Sequence, residues 1–303
     1  MRRIAIITAF FVLVPPAQAA TQLGIFGNID RFHQLTGQQS QVGHVIVGWG
    51  QSTFSQIWPT LGPTPMLGFG SGGGQGVITM QSLTRGQGDE YLLAMSESAR
   101  GLGKLVYIRP FGEMNGHWNP YCAYNQNGTP RGAAYSTANF RKAFARIYLI
   151  MHGGPTVNST LRRLGMPPVR TDIPTNPFMS VVWNPQGYGS PDVPGNSAQA
   201  YYPGDRYVDM VGDDLYDIRG RAEFAAADAL YKAHRSKPFS FPEWGLWGID
   251  DPKFVQQMAT FVKTHPRTRM IAYFNAKPGS IFDLASKPRS LAAYKRYIVP
   301  LGR

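Results

Sequence analysis

The sequence predicts an α/β protein folded as a single-domain (β/α)8 TIM barrel. Short apolar segments recur along the 303 residues, with helical patterns or loops between them. Most of these segments are continuous apolar runs, as expected of parallel strands that helices cover. Eight such βα units fit the roughly 280 residues that follow the N-terminal segment, which is the usual size of this barrel.

Eight apolar segments are the candidate strands. They are Leu23–Gly27, His44–Trp49, Pro65–Phe69, Lys104–Pro110, Phe178–Trp183, Tyr207–Gly212, Phe239–Glu243 and Arg269–Phe274. Strands that alternate with helices are typical of βα units. No internal repeat or break in composition marks a second domain, so we expect one barrel.

Five segments between or after these strands have helical patterns. They are Asp89–Leu102, Thr137–Met151, Ala222–Ala233, Pro252–Lys263 and Leu291–Ile298. Asp251 is a plausible N-cap for the fourth of them, because a proline at the first helical position follows it. The stretches 62–76 and 184–204 are rich in glycine and proline and overlap or follow strand ends, so we expect them to be loops that build the site.

The composition excludes several classes of protein. A hydrophobic content of 43% with 13% aromatic residues excludes bulk disorder. The single cysteine, Cys122, excludes a disulfide framework and a cysteine-based zinc site. The formal net charge is +12, but the basic residues are scattered and form no dense block, which favours a basic surface over a nucleic-acid partner.

The N-terminal segment has the pattern of a secretory signal peptide. Arg2 and Arg3 precede an apolar run from Ile4 to Val14, and an Ala-Gln-Ala site ends at Ala19. We therefore expect residues 1–19 to be removed, leaving residues 20–303 as a secreted or periplasmic barrel. No later segment approaches 18 apolar residues, so we expect no retained membrane segment.

Two segments place a glutamate at the end of an apolar strand. Residues 109–118 read RPFGEMNGHW and residues 239–245 read FSFPEWG, so Glu113 and Glu243 each follow apolar residues and have aromatic neighbours. Polar groups at the C-terminal ends of barrel strands face the catalytic mouth. Glycoside hydrolysis requires two such carboxyl groups, one to protonate the leaving oxygen and one to attack or to activate water. The alternative interpretation is that each glutamate forms a salt bridge at the end of its strand.

The two glutamate segments, together with residues 201–212 (YYPGDRYVDMVG), resemble the motifs of glycoside hydrolase family 26. This family includes β-mannanases, some β-glucanases and β-1,3-xylanases. The resemblance implies that Glu113 is the acid/base and Glu243 the nucleophile of a retaining reaction. It also implies that their carboxyl groups lie roughly 5–5.5 Å apart.

Further residues are candidates for supporting the reaction or contacting the sugar. We expect Glu243 to be the ionised partner, held by Arg109 and the hydroxyl of Tyr216, because two close carboxylates do not both ionise easily. The candidates for substrate contact are Asn115, His117, Trp118, Trp183, Asn184, Trp244 and Tyr273. Trp247 is a further candidate for stacking on a sugar. Core packing is the alternative interpretation for all of these aromatic residues, and it has the most weight for Trp247.

The chain departs from the family pattern at two positions. Gly112 stands where the family usually has a histidine, and Met210 stands where it often has a tryptophan. These departures weaken the expectation of mannan specificity more than that of the reaction. A β-glucan, a xylan or a bacterial exopolysaccharide therefore remains an alternative to β-1,4-mannan. A non-catalytic carbohydrate-binding protein is the alternative from another class.

Three other features of the sequence give weaker indications of function than the two glutamate segments. The pattern from Gly68 to Gly73 matches a dinucleotide-binding motif but opens no helix, which that site needs. The six histidines show no metal-ligand spacing, and a nucleophilic role for Cys122 would need a partnered histidine. Because acid, nucleophile and water suffice for the reaction, we expect no cofactor and no metal. We expect a monomer acting on a polysaccharide.

Overall fold

The structure is a computed structural model that describes residues 20–50, 54–70 and 77–302. Within these residues, eight parallel strands close into a barrel in chain order, and the last strand pairs with the first. The predicted single (β/α)8 barrel is confirmed. The signal-peptide prediction for residues 1–19 and the second half of the glycine-rich motif, residues 71–73, lie outside the described residues.

Every predicted strand overlaps an observed one. The strands are β1 (Gln22–Gly27), β2 (Val42–Val47), β3 (Thr64–Phe69), β4 (Val106–Pro110), β5 (Met179–Trp183), β6 (Met210–Ile218), β7 (Phe239–Trp247) and β8 (Thr268–Ala276). The largest differences are in β6 and β7, which continue beyond the predicted ends. Their pairing passes an irregularity between Gly212 and Asp214 and then resumes through to Ile218. The acidic residues of β6 therefore lie within the strand.

The described residues contain more helices than the five that the sequence predicts. They are α1 (Ile29–Thr36), α2 (Phe54–Ile57), α3 (Met80–Thr84), α4 (Asp89–Gly101), α5 (Thr137–His152), α6 (Val157–Arg163), α7 (Phe224–Ala233), α8 (Pro252–Thr264) and α9 (Pro288–Ala293). The predicted N-cap is present, since the side chain of Asp251 accepts a hydrogen bond from the N–H of Lys253. The predicted last helix is divided into α9 and a π-helical turn over Tyr294–Ile298. No helix in the described residues is both long and apolar enough to cross a bilayer.

The apolar strands bury both of their faces. Inside the barrel, a small cluster is formed by Val42, Met66, Tyr107, Val182, Met210, Met270 and Ala272. A larger cluster fills the layer between the strands and the helices. Burying a large apolar side chain contributes about 1.5–3 kcal/mol, so these two layers hold the strand ends that carry the polar residues in fixed positions.

Candidate active site

Glu113 and Glu243 lie at the same end of the barrel. Glu113 follows β4 by three residues, and Glu243 is the middle residue of the nine-residue strand β7. The C-terminal ends of all strands meet at one face of a parallel barrel, where such folds build their sites. The two segments that the sequence singled out are thus brought together.

An unusual backbone conformation presents Glu113. Phe111 and Glu113 have φ angles of 54° and 60°, which few residues other than glycine adopt. Such conformations cost about 1–3 kcal/mol each and persist where the surroundings fix them. Here the N–H of Glu113 donates to the carbonyl of Asn184 at 2.8 Å, and Asn119 Nδ2 donates to the carbonyl of Gly112 at 2.6 Å. The end of β4 is therefore tied to the end of β5.

Among the described residues, one hydrogen-bond donor serves each oxygen of the Glu113 carboxylate. Trp118 Nε1 donates to Oε2 at 2.6 Å, and Gln186 Nε2 donates to Oε1 at 2.5 Å. Burial and the nearby charge of Glu243 raise the pKa of Glu113, while Arg109 and the two donors oppose the rise. The net shift upward favours the protonated form, which a general acid needs.

Trp118 reaches Glu113 because residue 116 is glycine. A Cβ atom at Gly116 would lie 2.4 Å from two ring atoms of Trp118, so any larger residue would displace the ring. The ring of Trp118 is nevertheless 50% exposed. It combines a fixed hydrogen bond at one edge with an open aromatic face.

Glu243 has a different set of partners. Its side chain is buried, with 7% of the residue exposed. Arg109 Nη1 donates to Oε1 at 2.5 Å, and the hydroxyl of Tyr216 donates to Oε2 at 2.7 Å. The backbone N–H of Glu243 donates to Asp214 Oδ1 at 3.1 Å. Hydrogen bonds from a charged guanidinium are stronger than those from neutral donors, so Arg109 fixes the orientation of the Glu243 side chain.

Arg109 links Glu243 to a second carboxylate. Its Nη2 donates to Asp214 Oδ2, so the buried guanidinium lies between two acidic side chains. Burial lowers the pKa of Arg109, but the charges of Asp214, Glu243 and Glu113 outweigh this and raise it above its usual value. The guanidinium therefore remains charged beside Glu243.

Asp213 is another buried acid of the site. It is 2% exposed, and its Oδ1 accepts a hydrogen bond from the N–H of Gly187 at 2.9 Å. Burial, with the charge of Glu113, raises the pKa of Asp213 to about 8, against the N–H donors of Gly187 and Asp214. Asp213 is thus predominantly protonated at neutral pH.

A group of aromatic rings lies next to Glu243. The ring of Tyr216 contacts Trp247 at a centroid distance of 5.8 Å and Phe274 at 5.9 Å. Phe274 also stacks on Phe26 at 4.4 Å, and Trp247 contacts Phe282 at 4.9 Å. Trp247 is 45% exposed, so this group presents an apolar surface to solvent beside the glutamates.

Two predicted contact residues near Glu113 are engaged with the β5 loop. Asn115 is fully buried, and its side chain accepts from the N–H of Gln186 and donates to the carbonyls of Gln186 and Tyr188. The Nδ1 atom of the half-buried His117 ring lies 3.1 Å from the Oγ atom of Ser190. Asn115 therefore joins two loops, whereas His117 retains partial exposure.

The remaining predicted contact residues are buried. Trp183, Asn184, Trp244 and Tyr273 are each 0% exposed. Trp244 and Tyr273 pack in the layer between strands and helices, where Trp244 stacks on Tyr294 at 5.7 Å. Successive side chains of a strand point to opposite faces, so Glu243 and Phe274 face the site while their neighbours Trp244 and Tyr273 face the helices. The structure does not bring these rings to the cleft surface.

Neither the cysteine nor a metal-binding cluster belongs to the site in the described residues. Cys122 is buried, with its Sγ 3.5 Å from Asn196 Oδ1 and 3.7 Å from the hydroxyl of Tyr201. Within residues 20–50, 54–70 and 77–302, no group of three or more acidic, histidine or cysteine side chains is arranged to hold a metal ion.

Residues of the site that the sequence interpretation did not single out are Gln186, Asp213, Asp214, Phe26 and Phe274. The two aspartates were visible as the acidic end of an apolar strand. Phe26 and Phe274 lay within predicted strands but carried no sign of which face they occupy. No sequence signal pointed to Gln186.

The chain is a (β/α)8 barrel with two glutamates at one face, one of them beside an arginine and a tyrosine. Solved structures of similar fold include a mannanase of Bacillus subtilis, with a TM-score of 0.60 and 18% identity, covering 93% of this chain and 86% of that one. A GH26 β-mannanase of Bacteroides ovatus has a TM-score of 0.59 and 14% identity, covering 93% of this chain and 89% of the other. At these identities the similarity establishes the fold of this chain.

A sequence relative gives a second comparison. Endoglucanase H of Acetivibrio thermocellus is 21% identical over 294 residues, which cover 89% of this chain. The match spans 29% of that protein, so this chain corresponds to less than a third of its length. No family model matches the chain.

Proposed function

We propose that this protein is an exported, retaining glycoside hydrolase that cleaves internal β-glycosidic bonds of a polysaccharide. Glu113 is the acid/base and Glu243 the nucleophile. The first substrate to consider is β-1,4-mannan, because the solved structures of similar fold include mannanases.

One observation carries this proposal. Glu113 and Glu243 interact electrostatically at one end of the barrel, yet their hydrogen-bond partners differ in kind. Glu113 accepts from neutral donors, whereas Glu243 accepts from a charged guanidinium and a hydroxyl. Two carboxyl groups in such different surroundings support an assignment of one as the acid and the other as the nucleophile.

In the first step, protonated Glu113 gives its proton to the glycosidic oxygen as the bond from that oxygen to the anomeric carbon breaks. The carboxylate of Glu243 attacks the anomeric carbon from the opposite face. The products are a glycosyl ester on Glu243 and a free hydroxyl on the departing chain. Tyr216 and Arg109 orient the attacking carboxylate through the hydrogen bonds described above.

In the second step, Glu113 acts as a base. Ester formation removes the negative charge of Glu243, which is one of the causes that raise the pKa of Glu113. The pKa of Glu113 then falls, and its carboxylate takes a proton from water while the water oxygen attacks the anomeric carbon. The ester bond breaks, Glu243 returns as a carboxylate, and Glu113 holds its proton again.

Aromatic rings on two sides of the glutamates suit a sugar chain. Trp118 lies beside Glu113, and Trp247 lies beside Tyr216 on the side of Glu243. Both rings are about half exposed, so each presents a face on which the apolar side of a sugar ring stacks.

A β-glucan is the second candidate substrate. The sequence relative is named an endoglucanase, and Gly112 removes the histidine that the family usually has before its acid/base. We therefore test mannan, lichenan, curdlan, xylan and an anionic exopolysaccharide for release of reducing sugar. The proposal predicts release from at least one of them, with β-configured products seen first by NMR.

Matched variants make the test specific. Glu113→Ala and Glu243→Ala should each abolish release from polysaccharide, while Glu97→Ala, at an exposed glutamate of α4, should leave it unchanged. Retained binding with no release from any substrate by the unaltered protein would support the carbohydrate-binding alternative. Export is tested separately, because N-terminal sequencing of the secreted protein should begin at Ala20.

A further inference from the structure

We propose that Gln186 is a positioning residue for the proton-transferring carboxyl of Glu113, and that Asp213 holds the segment of chain that carries Gln186. This inference rests on the proposed function, since it concerns how the acid/base is held. It adds two residues whose roles the family motifs do not indicate.

Gln186 makes one of the two contacts that fix the carboxyl group. Its side-chain Nε2 donates to Glu113 Oε1 at 2.5 Å, and the residue is 5% exposed. Trp118 occupies the other oxygen. Because one donor serves each oxygen, removal of Gln186 frees the carboxyl group to rotate about the remaining contact.

The backbone of Gln186 is fixed by a single buried amide. Asn115 Oδ1 accepts from the N–H of Gln186 at 2.8 Å, and Asn115 Nδ2 donates to its carbonyl at 2.9 Å. The same Nδ2 donates to the carbonyl of Tyr188 at 3.1 Å. Asn115 lies two residues after Glu113, so the loop that presents the acid also holds its donor.

Asp213 fixes the next residue from the other side. Its Oδ1 accepts from the N–H of Gly187 at 2.9 Å. A Cβ atom at Gly187 would lie 3.0 Å from the backbone carbonyl carbon of Ala226, so this residue also packs closely on α7. Residues 186 and 187 are therefore held between the β4 loop and β6.

Several charged and titratable groups around Glu113 interact with its carboxyl group. Those that interact with it are Arg109 on β4, Tyr188 after β5, Asp213, Asp214 and Tyr216 on β6, and Glu243 on β7. Burial and Glu243 favour the protonated form of Glu113, whereas a donated hydrogen bond favours the carboxylate. Gln186 therefore assists the second step, in which Glu113 must be ionised.

The first test is Gln186→Met, which keeps the length of the side chain and removes the donor. We expect the alkaline limb of kcat/KM, which reports the acid, to move up by about one pH unit. With a substrate whose leaving group needs no protonation, kcat should fall roughly tenfold because the second step becomes slower, while KM falls as the ester accumulates. Gln256→Met, at an exposed glutamine of α8, is the matched control.

The second test compares two variants of Asp213. Asp213→Ala removes the acceptor for Gly187, so we expect its alkaline limb to shift in the same direction as that of Gln186→Met. Asp213→Asn keeps an acceptor oxygen, so its profile in the neutral range should lie closer to that of the unaltered protein. Circular dichroism and the unfolding midpoint establish that each variant is folded.

The inference is overturned if folded Gln186→Met loses activity without a shift of the alkaline limb, or keeps the normal rate of the second step. It is also overturned if Asp213→Asn and Asp213→Ala behave alike. If the unaltered protein releases no sugar from any substrate, the proposed function fails instead. The two failures are therefore distinguishable.

Discussion

The guanidinium of Arg109 occupies the space that a side chain at Gly112 would need. A Cβ atom at Gly112 would lie 2.4 Å from Cζ and 2.4 Å from Nη2 of Arg109. A residue larger than glycine at position 112 would therefore displace the guanidinium. With glycine at this position, Arg109 reaches both Glu243 and Asp214.

Gly112→Ala should therefore displace Arg109 and lower kcat by about a hundredfold, since loss of one oriented catalytic contact costs roughly 2.7–4 kcal/mol. The control is Gly101→Ala, where a Cβ atom would meet nothing within 4 Å. Steady-state kinetics on the best substrate of the panel provide the measurement. Equal activity of Gly112→Ala and Gly101→Ala would contradict the assigned role of Arg109.

Glu113→Ala should discriminate between substrates by their leaving groups. An aryl glycoside with an activated leaving group departs without protonation, so its first step should be largely spared. Polysaccharide, whose leaving oxygen needs a proton, should lose at least a hundredfold, within the range of 10²–10⁴ that general acid catalysis contributes. Equal losses on both substrates would count against Glu113 as the acid.

Trp247→Ala should weaken substrate binding more than it slows the reaction. The ring is 45% exposed and packs on Phe282 and Tyr216, so its loss removes a stacking surface without opening the core. We expect KM for polysaccharide to rise roughly tenfold, which corresponds to about 1.4 kcal/mol. An unchanged KM would place the sugar chain elsewhere on the barrel face.

The sequence predicted the barrel well because its strands are continuous apolar runs bounded by turns. The same property concealed which side chains face the site. Where both faces of a strand are buried, Trp244 and Tyr273 have the same apolar neighbours as a ring that lines a cleft. Only the register of the strands shows that Glu243 and Phe274 point one way and the two rings the other.

The other differences between the sequence-based prediction and the structure have local causes. The short helices α1, α2, α3 and α6 are stabilised by packing on the barrel, because isolated helices of this length are marginal. Asp213 and Asp214 lie inside β6 because the pairing with β7 resumes after an irregularity that no residue pattern marks. Gln186 was missed because its contact with Glu113 depends on where two loops meet.

The raised pKa of Asp213 should make the free energy of unfolding depend on pH. The pKa of Asp213 is about 8 in the folded protein and near 3.8 in the unfolded chain. Between pH 4 and 8, the folded state therefore binds more protons at this group than the unfolded state does. The contribution of this group to the free energy of unfolding therefore falls as the pH rises through that range, by at most about 1.4 kcal/mol per pH unit. Asp213→Asn should remove this dependence.

Urea unfolding at several pH values between 5 and 8 provides the measurement. The stability of Asp213→Asn relative to the unaltered protein should increase with pH, whereas that of Asp172→Asn, at an exposed aspartate before β5, should stay constant. Parallel curves for all three proteins would show that Asp213 is ionised throughout the range.

The most direct test of the account is to trap the covalent intermediate. A 2-deoxy-2-fluoro sugar with an activated leaving group forms the glycosyl ester and slows its hydrolysis, so peptide mapping by mass spectrometry identifies the esterified residue. We predict one added sugar, on the peptide that contains Glu243, and none in Glu243→Ala. Labelling of another carboxylate, or turnover of polysaccharide at the normal rate by Glu243→Ala, would contradict the central claim.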